Sequence, residues 1–259
     1  MDLDREGYGA HISQQFNKDL ENLKNHILNM GGRVERQIQN AIKALLENDS
    51  ELAEKVRQGE AEINGLEVSI DEECTRILAL RHPAASDLRM VVAVYKAITD
   101  LERIGDEASK VASLAIGLIE EGAAPLGYGQ TKHIGHLVTV MVHDALDAFA
   151  RFDVDSALRV MREDRTVDVE YDGAMRQLIT YMMEDPRSIS RVLKIMWALR
   201  ALERVGDHAC NIAEHVVYLV KGKDVRHASE EQLQQALLAV DRVSIPDDID
   251  AARSTPVPK

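Results

Sequence analysis

Apolar residues recur along this chain at steps of three, four and seven. Leu52, Val56, Ile63, Leu66, Ile70, Ile77 and Leu80 make one such stripe, the pattern of a long helix that buries a single face. Before it, Ile38, Ile42, Leu45 and Leu46 mark a helix predicted over 17–47, and Asn48-Asp49-Ser50 interrupts the two with good N-capping chemistry. Arg81-His82-Pro83 ends the second helix, because the residue before a proline is pushed out of helical geometry. A third helix is predicted over 84–121. Gly and Pro in GAAPLGYGQ make 122–130 a linker.

After the linker the pattern starts again. Helices are predicted over 131–152 and 155–184, with Asp153 in the place of Asp49 as break and cap. Asp185-Pro186 precedes a third helix over 187–221, closed by Lys221-Gly222-Lys223. The fold class is therefore all-α: two tandem, related three-helix bundles of long antiparallel helices. The bundles are assigned to 17–121 and 131–227. Residues 1–16 form an N-terminal extension. A C-terminal tail over 228–259, with one weak helix at 230–240, is expected to be largely flexible.

Composition agrees with helices, since only 4% of the 259 residues are aromatic and sheets draw on aromatic and β-branched residues. A net charge of −13 argues against a nucleic-acid binder, which needs clustered Lys and Arg. Cys74 and Cys210 lie within helical patterns and make no disulfide framework. The N-terminal residues lack a signal-peptide core. The longest apolar run, Met90 to Tyr95, is far short of a membrane span. These features point to a cytoplasmic protein without direct membrane insertion.

One acidic phrase occurs twice. LERIGDEASKVA begins at Leu101 and LERVGDHACNIA begins 101 residues later, at Leu202. Repetition of this kind divides a chain into related halves. Each copy sets a glutamate four residues before an aspartate, Glu102 with Asp106 and Glu203 with Asp207, so both carboxylates share one helix face and repel each other. Gly105 and Gly206 precede the aspartates. A helical glycine costs about 1 kcal/mol relative to alanine, so its repetition suggests close approach of a neighbouring helix or ligand.

Two readings of the carboxylates stay open. In the first copy Arg103 and Lys110 are positioned for ordinary surface ion pairs, whereas Asn211 replaces the lysine in the second. Alternatively, oxygen ligands at i,i+4 suit Mg²⁺, Mn²⁺ or Ca²⁺, or a carboxylate-bridged iron or zinc cluster. Further ligands would then come from the first helix of each unit: His143, Asp144 and Asp147 in the second, Glu35 and Asn40 in the first. No histidine follows a glutamate by three, so a ferritin-like di-iron motif is excluded. His133 with His136 reads as exposed surface, His208 with His215 as core-edge or interface residues, and Trp197, Met182, Met183 and Met196 as core. No P-loop, GxSxG or nucleophile–base pair is present, and no enzymatic activity is expected.

The doubled LER(I/V)GD, Ser86-Asp87-Leu88-Arg89-Met90, the stretch from His143 to Tyr171, TYMMEDPR from Thr180 and VKGKDVRH from Val220 together resemble the PhoU family. The resemblance runs from near residue 10 to about 227. It implies two similar three-helix bundles side by side. It also implies a phosphate-transport accessory protein that restrains the bacterial phosphate-starvation response, linking the ATPase subunit of the phosphate ABC transporter to a sensor histidine kinase. Some relatives carry metal clusters at Glu/Asp-x-x-x-Asp motifs, matched here by Glu102 with Asp106 and Glu203 with Asp207. The partner motif on the first helices is incomplete, because Ala148 follows Asp144. No cofactor is required on this reading, and a divalent metal or cluster of Fe, Zn, Mn or Mg is the candidate. A homodimer is expected from the long helices with spare faces.

Overall fold

The computed structural model describes residues 4–83, 85–122 and 127–226. Among the described residues are six α-helices and no strand: α1 (Asp4–Glu47), α2 (Ser50–Arg81), α3 (Ala85–Glu120), α4 (Tyr128–Arg151), α5 (Val154–Glu184) and α6 (Ile189–Lys221). The tail at 228–259 and its weak helix lie outside the described residues.

Local chemistry accounts for the helix ends. Asp49 accepts a hydrogen bond from the Leu52 amide, and Asp153 accepts from the amides of Asp155 and Ser156. Each cap is worth about 1 kcal/mol. The residues before them, Asn48 and Phe152, both adopt the left-handed conformation that turns the chain back, with φ of 56°. Asp185 caps a 3-10 turn at Pro186–Ser188, which delays α6 to Ile189. Gly222, at φ 67°, ends α6. Two starts are earlier than the sequence pattern predicts. α4 begins at Tyr128 instead of 131. α1 begins at Asp4 instead of 17, since no proline interrupts 4–16 and Gly7 and Gly9 weaken a helix without breaking it.

Residues through Asp224 form one compact unit. Within it α1, α2 and α3 pack on one another, α4, α5 and α6 do the same, and the two bundles join through α3 against α6 and α1 against α4. The first two helices of each half match at one constant offset, and the third helices match at the 101-residue offset of the repeated phrase. Asp153 stands 104 residues after Asp49, and at that offset buried Ala53, Val56, Ile63, Ile70 and Cys74 of α2 become buried Ala157, Val160, Val167, Ala174 and Leu178 of α5. Two polar pairs correspond as well: His26 to Glu73, and Gln130 to Gln177.

Glycines make the α1–α4 crossing possible, and they do so reciprocally. A Cβ on Gly31 would run into Leu146, and one on Gly135 would lie 3.1 Å from Ile42. Gly31 and Gly135 correspond at the 104-residue offset, and so do Ile42 and Leu146, so the contact has approximate two-fold symmetry. α3 and α6 also run antiparallel: Arg89 reaches the Leu219 carbonyl near one end, and Lys194 reaches the Gly117 carbonyl near the other. Both helices are covered by their own bundle and by the partner bundle. Val91, Val94, Leu101, Ile104 and Val111 on α3 and Ile195, Leu199, Leu202, Val205 and Val216 on α6 are accordingly fully buried.

None of the four expected core residues is in the core: Met182 and Met196 are half-buried, and Met183 and Trp197 are exposed. Trp197 is 54% exposed and Met183 is 79% exposed. Both stand on the outer faces of their helices, where the three-residue step no longer meets a neighbour.

Candidate acidic sites and the seam between the repeats

The repeated phrase lies midway along the α3–α6 seam, and its carboxylates turn back into their own bundles. Gly105 allows this in the first repeat. A Cβ there would lie 3.0 Å from Ile63 of α2, so α2 does approach closely, as the repeated glycine predicts. In the second repeat the contact is looser, with a Cβ on Gly206 at 3.4 Å from the Asp164 carboxylate and 3.6 Å from Val138.

On α6, Glu203 and Asp207 meet Asp168 of α5, with one oxygen from each lying within 4.8 Å of the others. Asp164, one turn before Asp168, adds its charge to the group from outside the converging trio and accepts a hydrogen bond from Cys210. Burial and the charges of Asp207 and Asp168 push Glu203 up to about 7, against the pull of Arg200. Burial, Asp207 and Asp168 raise Asp164 to about 6. Asp207 is raised as well, by burial and then by Asp168. Arg200 pairs with one oxygen of Glu203, while the other, Oε2, is buried with no hydrogen-bond partner. Like charges held this close favour each other's protonated form, and a proton or a bridging cation would relieve the repulsion.

The same positions of the first repeat are Glu60, Asn64, Glu102 and Asp106. Burial, then Asp106 and Glu67, raise Glu102; burial, then Glu60 and Glu107, raise Asp106. Neither of the ion pairs expected for Asp106 forms. Lys110 turns to Glu107 at 3.3 Å, and Glu107 also accepts Arg204 of α6 across the seam at 3.2 Å.

The additional carboxylates therefore come from the second helix of each unit, not from the first. His143 and Glu35, two of the first-helix candidates, sit 3.3 Å apart across the α1–α4 contact. Asp147 pairs with Arg151 on its own helix. Asp144 is half-buried on α4 and stands outside the converging trio of Asp168, Glu203 and Asp207. Asn40 borders a groove on α1 and α2. The residues missed were Asp164 and Asp168, although their i,i+4 spacing is the same signal that singled out the repeated phrase.

A second polar cluster lies inside the seam. Asp100 of α3 is 6% exposed and takes three contacts from α6, each 3.0 Å long: His208 Nδ1 and Asn211 Nδ2 on one oxygen, His215 Nε2 on the other. Burial works against the charge of Asp100, but these hydrogen bonds outweigh it and hold the carboxyl well below its usual range. The reading of His208 and His215 as core-edge or interface residues agrees with this place. Nothing in the sequence pattern singled out Asp100 as their partner.

No helix among the described residues is long and apolar enough to cross a membrane. The family model for the PhoU domain matches twice, over residues 27–115 and 131–216. A phosphate-specific transport system accessory protein PhoU homolog of Pseudomonas putida is 60% identical over 87% of this chain and 88% of its own length. The corresponding homolog of Pseudomonas aeruginosa is 58% identical over 90% of this chain and 96% of its own. The crystal structure of PhoU from Pseudomonas aeruginosa superposes with a TM-score of 0.79 at 60% identity, covering 80% of this chain and all of that one. The double match falls on the two halves that the repeated acidic phrase and the 104-residue offset define, and the chain belongs to the PhoU family.

Proposed function

We propose that this chain is a non-enzymatic signalling adaptor in phosphate uptake. It restrains the phosphate-starvation response when phosphate is plentiful, by linking the ATPase subunit of the phosphate ABC transporter to the phosphate-sensing histidine kinase. The observation that carries the proposal is the near full-length likeness to proteins named as accessory to phosphate-specific transport. The fold is compatible with such a role, because long helices offer broad outer faces to partners. On this reading the protein works in the cytoplasm, reaches the inner membrane only through its partners, and forms a homodimer through spare helix faces. Co-purification at high and low phosphate tests it. The ATPase subunit and the kinase are expected in the high-phosphate eluate, and deletion is expected to derepress phosphate-responsive genes. Empty eluates together with unchanged repression would refute it.

A second reading is favoured by the orphaned Glu203 Oε2 and the repulsion among the carboxylates around it: a module that senses a cation or phosphate through its acidic helix motifs. The donors are carboxylate oxygens, which fit Mg²⁺ or Mn²⁺, or iron or zinc bridged by carboxylates. Asp164, Asp168, Glu203 and Asp207 would hold the ion in the second repeat, and Glu60, Glu102 and Asp106 in the first. A bound cation would neutralise charge and clamp the second helix of each bundle to the third. The protein residues set that clamp, since Gly105 and Gly206 let the paired helices approach and Arg200 orients Glu203. Metal content of untagged protein purified without chelator, compared with Glu203→Gln, is the direct measurement.

A further inference from the structure

The 104-residue correspondence between α2 and α5 holds from the caps at Asp49 and Asp153 to the pairs His26–Glu73 and Gln130–Gln177. Positions between those anchors therefore align without a gap. Glu60 aligns with Asp164, and Asn64 aligns with Asp168. One acidic position of the second repeat is thus a neutral amide in the first.

The surroundings of the two sites differ in the same direction. In the second repeat three carboxylate oxygens converge within 4.8 Å, and Glu203, only 7% exposed, directs an unpartnered oxygen into the group. In the first repeat the corresponding glutamate, Glu102, is less buried, and the side-chain oxygen of Asn64 is itself buried without a partner. Glu67 adds a carboxylate one turn further along α2, where the second repeat has Tyr171. That charge acts on Glu102 and Asp106 and restores the number of carboxylates, but the position of Asp168 itself stays neutral.

Resting on the cation-binding reading above, we infer that the two repeats are unequal cation sites: the α5–α6 cluster of Asp164, Asp168, Glu203 and Asp207 takes one divalent ion tightly, and the α2–α3 cluster binds it more weakly because Asn64 replaces an aspartate. The affinity of oxygen-ligand sites depends on how many ligands converge and how they are held. In the second repeat three oxygens already converge, one of them on buried Glu203, and no such trio forms in the first repeat among the described residues. Duplication has thereby produced one high-affinity site and one that fills only at higher concentration. A protein built this way responds over two ranges of free metal.

Manganese titration of the untagged, metal-stripped full chain tests this, with free Mn²⁺ counted by its EPR signal and folding checked by thermal melting. Wild type should bind one ion per chain at least about tenfold more tightly than a second. Asp168→Asn should weaken the tight site by at least about tenfold; it is a near-isosteric change that also relieves repulsion, so the variant should fold. Glu102→Gln should leave the tight site intact, and Asn64→Asp should bring the second ion to comparable affinity. Two equal sites in wild type, loss of the tight ion in Glu102→Gln, or an unimproved second site in Asn64→Asp would each overturn the asymmetry while leaving cation binding standing. If no form binds Mn²⁺, the cation-binding reading falls, and this inference falls with it.

Discussion

The two repeats agree closely in what they bury and diverge in what they charge. Caps, left-handed turn residues and the buried stripe of the second helix correspond at a constant offset. The polar positions do not. The second repeat gathers Asp168, Glu203 and Asp207, with the charge of Asp164 beside them, whereas the first has Asn64 where the second has Asp168. On the seam, Asp100 of α3 is ringed by His208, Asn211 and His215. Its counterpart on α6 is Ala201, and the counterpart of His208 is Glu107, which instead holds Arg204 and Lys110. Packing keeps these positions apolar even where their size changes, as from Ile70 to Ala174 and from Cys74 to Leu178. Polar positions at a surface or seam are free to change once a partner changes with them.

The seam should show the largest difference between the halves. Asp100→Ala strips two buried imidazoles and the half-buried Asn211 amide of their acceptor at once, and removing one partner from a buried charged network costs about 3–5 kcal/mol. Arg204→Ala on the other half removes a 44% exposed arginine from buried Glu107, but Lys110 still holds that carboxylate, so the cost should stay at about 1 kcal/mol. Denaturant unfolding of both variants measures the contrast. Equal losses would mean that the Asp100 network is no more important than a surface pair.

Next in size is a pH effect that is larger in the second repeat than in the first. Burial and Asp207 raise Glu203 in the folded protein from an ordinary value of 4.5 to about 7. The folded state then holds a proton that the unfolded chain releases, so stability is fully present below about pH 4.5 and is lost as pH rises through 7. The loss in metal-free protein should be on the order of 2 kcal/mol, and a saturating divalent cation should reverse it. Glu203→Gln should flatten the curve between these pH values, while Glu102→Gln should alter it much less. Asp100 has the opposite sign: its lowered value keeps its contribution constant across this range and removes it only in strong acid.

The glycines of the repeated phrase separate the halves by a smaller amount. Replacing a helical glycine with alanine gains about 1 kcal/mol from propensity alone. Gly206→Ala should keep most of that gain, because the nearest atoms to its Cβ lie at 3.4 Å or more. At Gly105 the new methyl meets fully buried Ile63 at 3.0 Å, and Ile63 has little room to move. Gly105→Ala should therefore melt lower than Gly206→Ala, by a difference of about 1 kcal/mol. An equal gain in both would show that α2 yields at the crossing.

Much of this organisation was legible in the sequence, for physical reasons that also set its limits. Periodicity at 3.6 residues and the Asp caps mark helices because they are local properties, so all six helices end, and all but α1 begin, close to where they are predicted. The family and the doubled acidic phrase were visible for the same reason. What lies across helices was not. Asp168 joins Glu203 and Asp207 only when α5 packs on α6, and a single-helix pattern does not reveal which helix faces the phrase. Asp100 sits in an unremarkable helical stretch until α6 brings His208 and His215 to it. Trp197 and Met183 failed in the reverse sense, since an apolar residue on a helical stripe can still fall outside the contact with its neighbours.

The smallest effect should come from exchanging the exposed pairs between repeats. His26 with Glu73 in the first repeat corresponds to Gln130 with Gln177 in the second. The double variant Gln130→His/Gln177→Glu grafts the first pair onto the second bundle. His26 is 57% exposed at the side chain although Glu73 is only 11% exposed, and a half-solvated pair of this kind contributes less than about 1 kcal/mol. The graft should accordingly shift stability at neutral pH by no more than about 0.5 kcal/mol. A larger change in chemical denaturation would mean that the α4–α5 surface near Gln130 is more tightly packed than its counterpart. The divergence of the repeats would then extend from their polar chemistry to their packing.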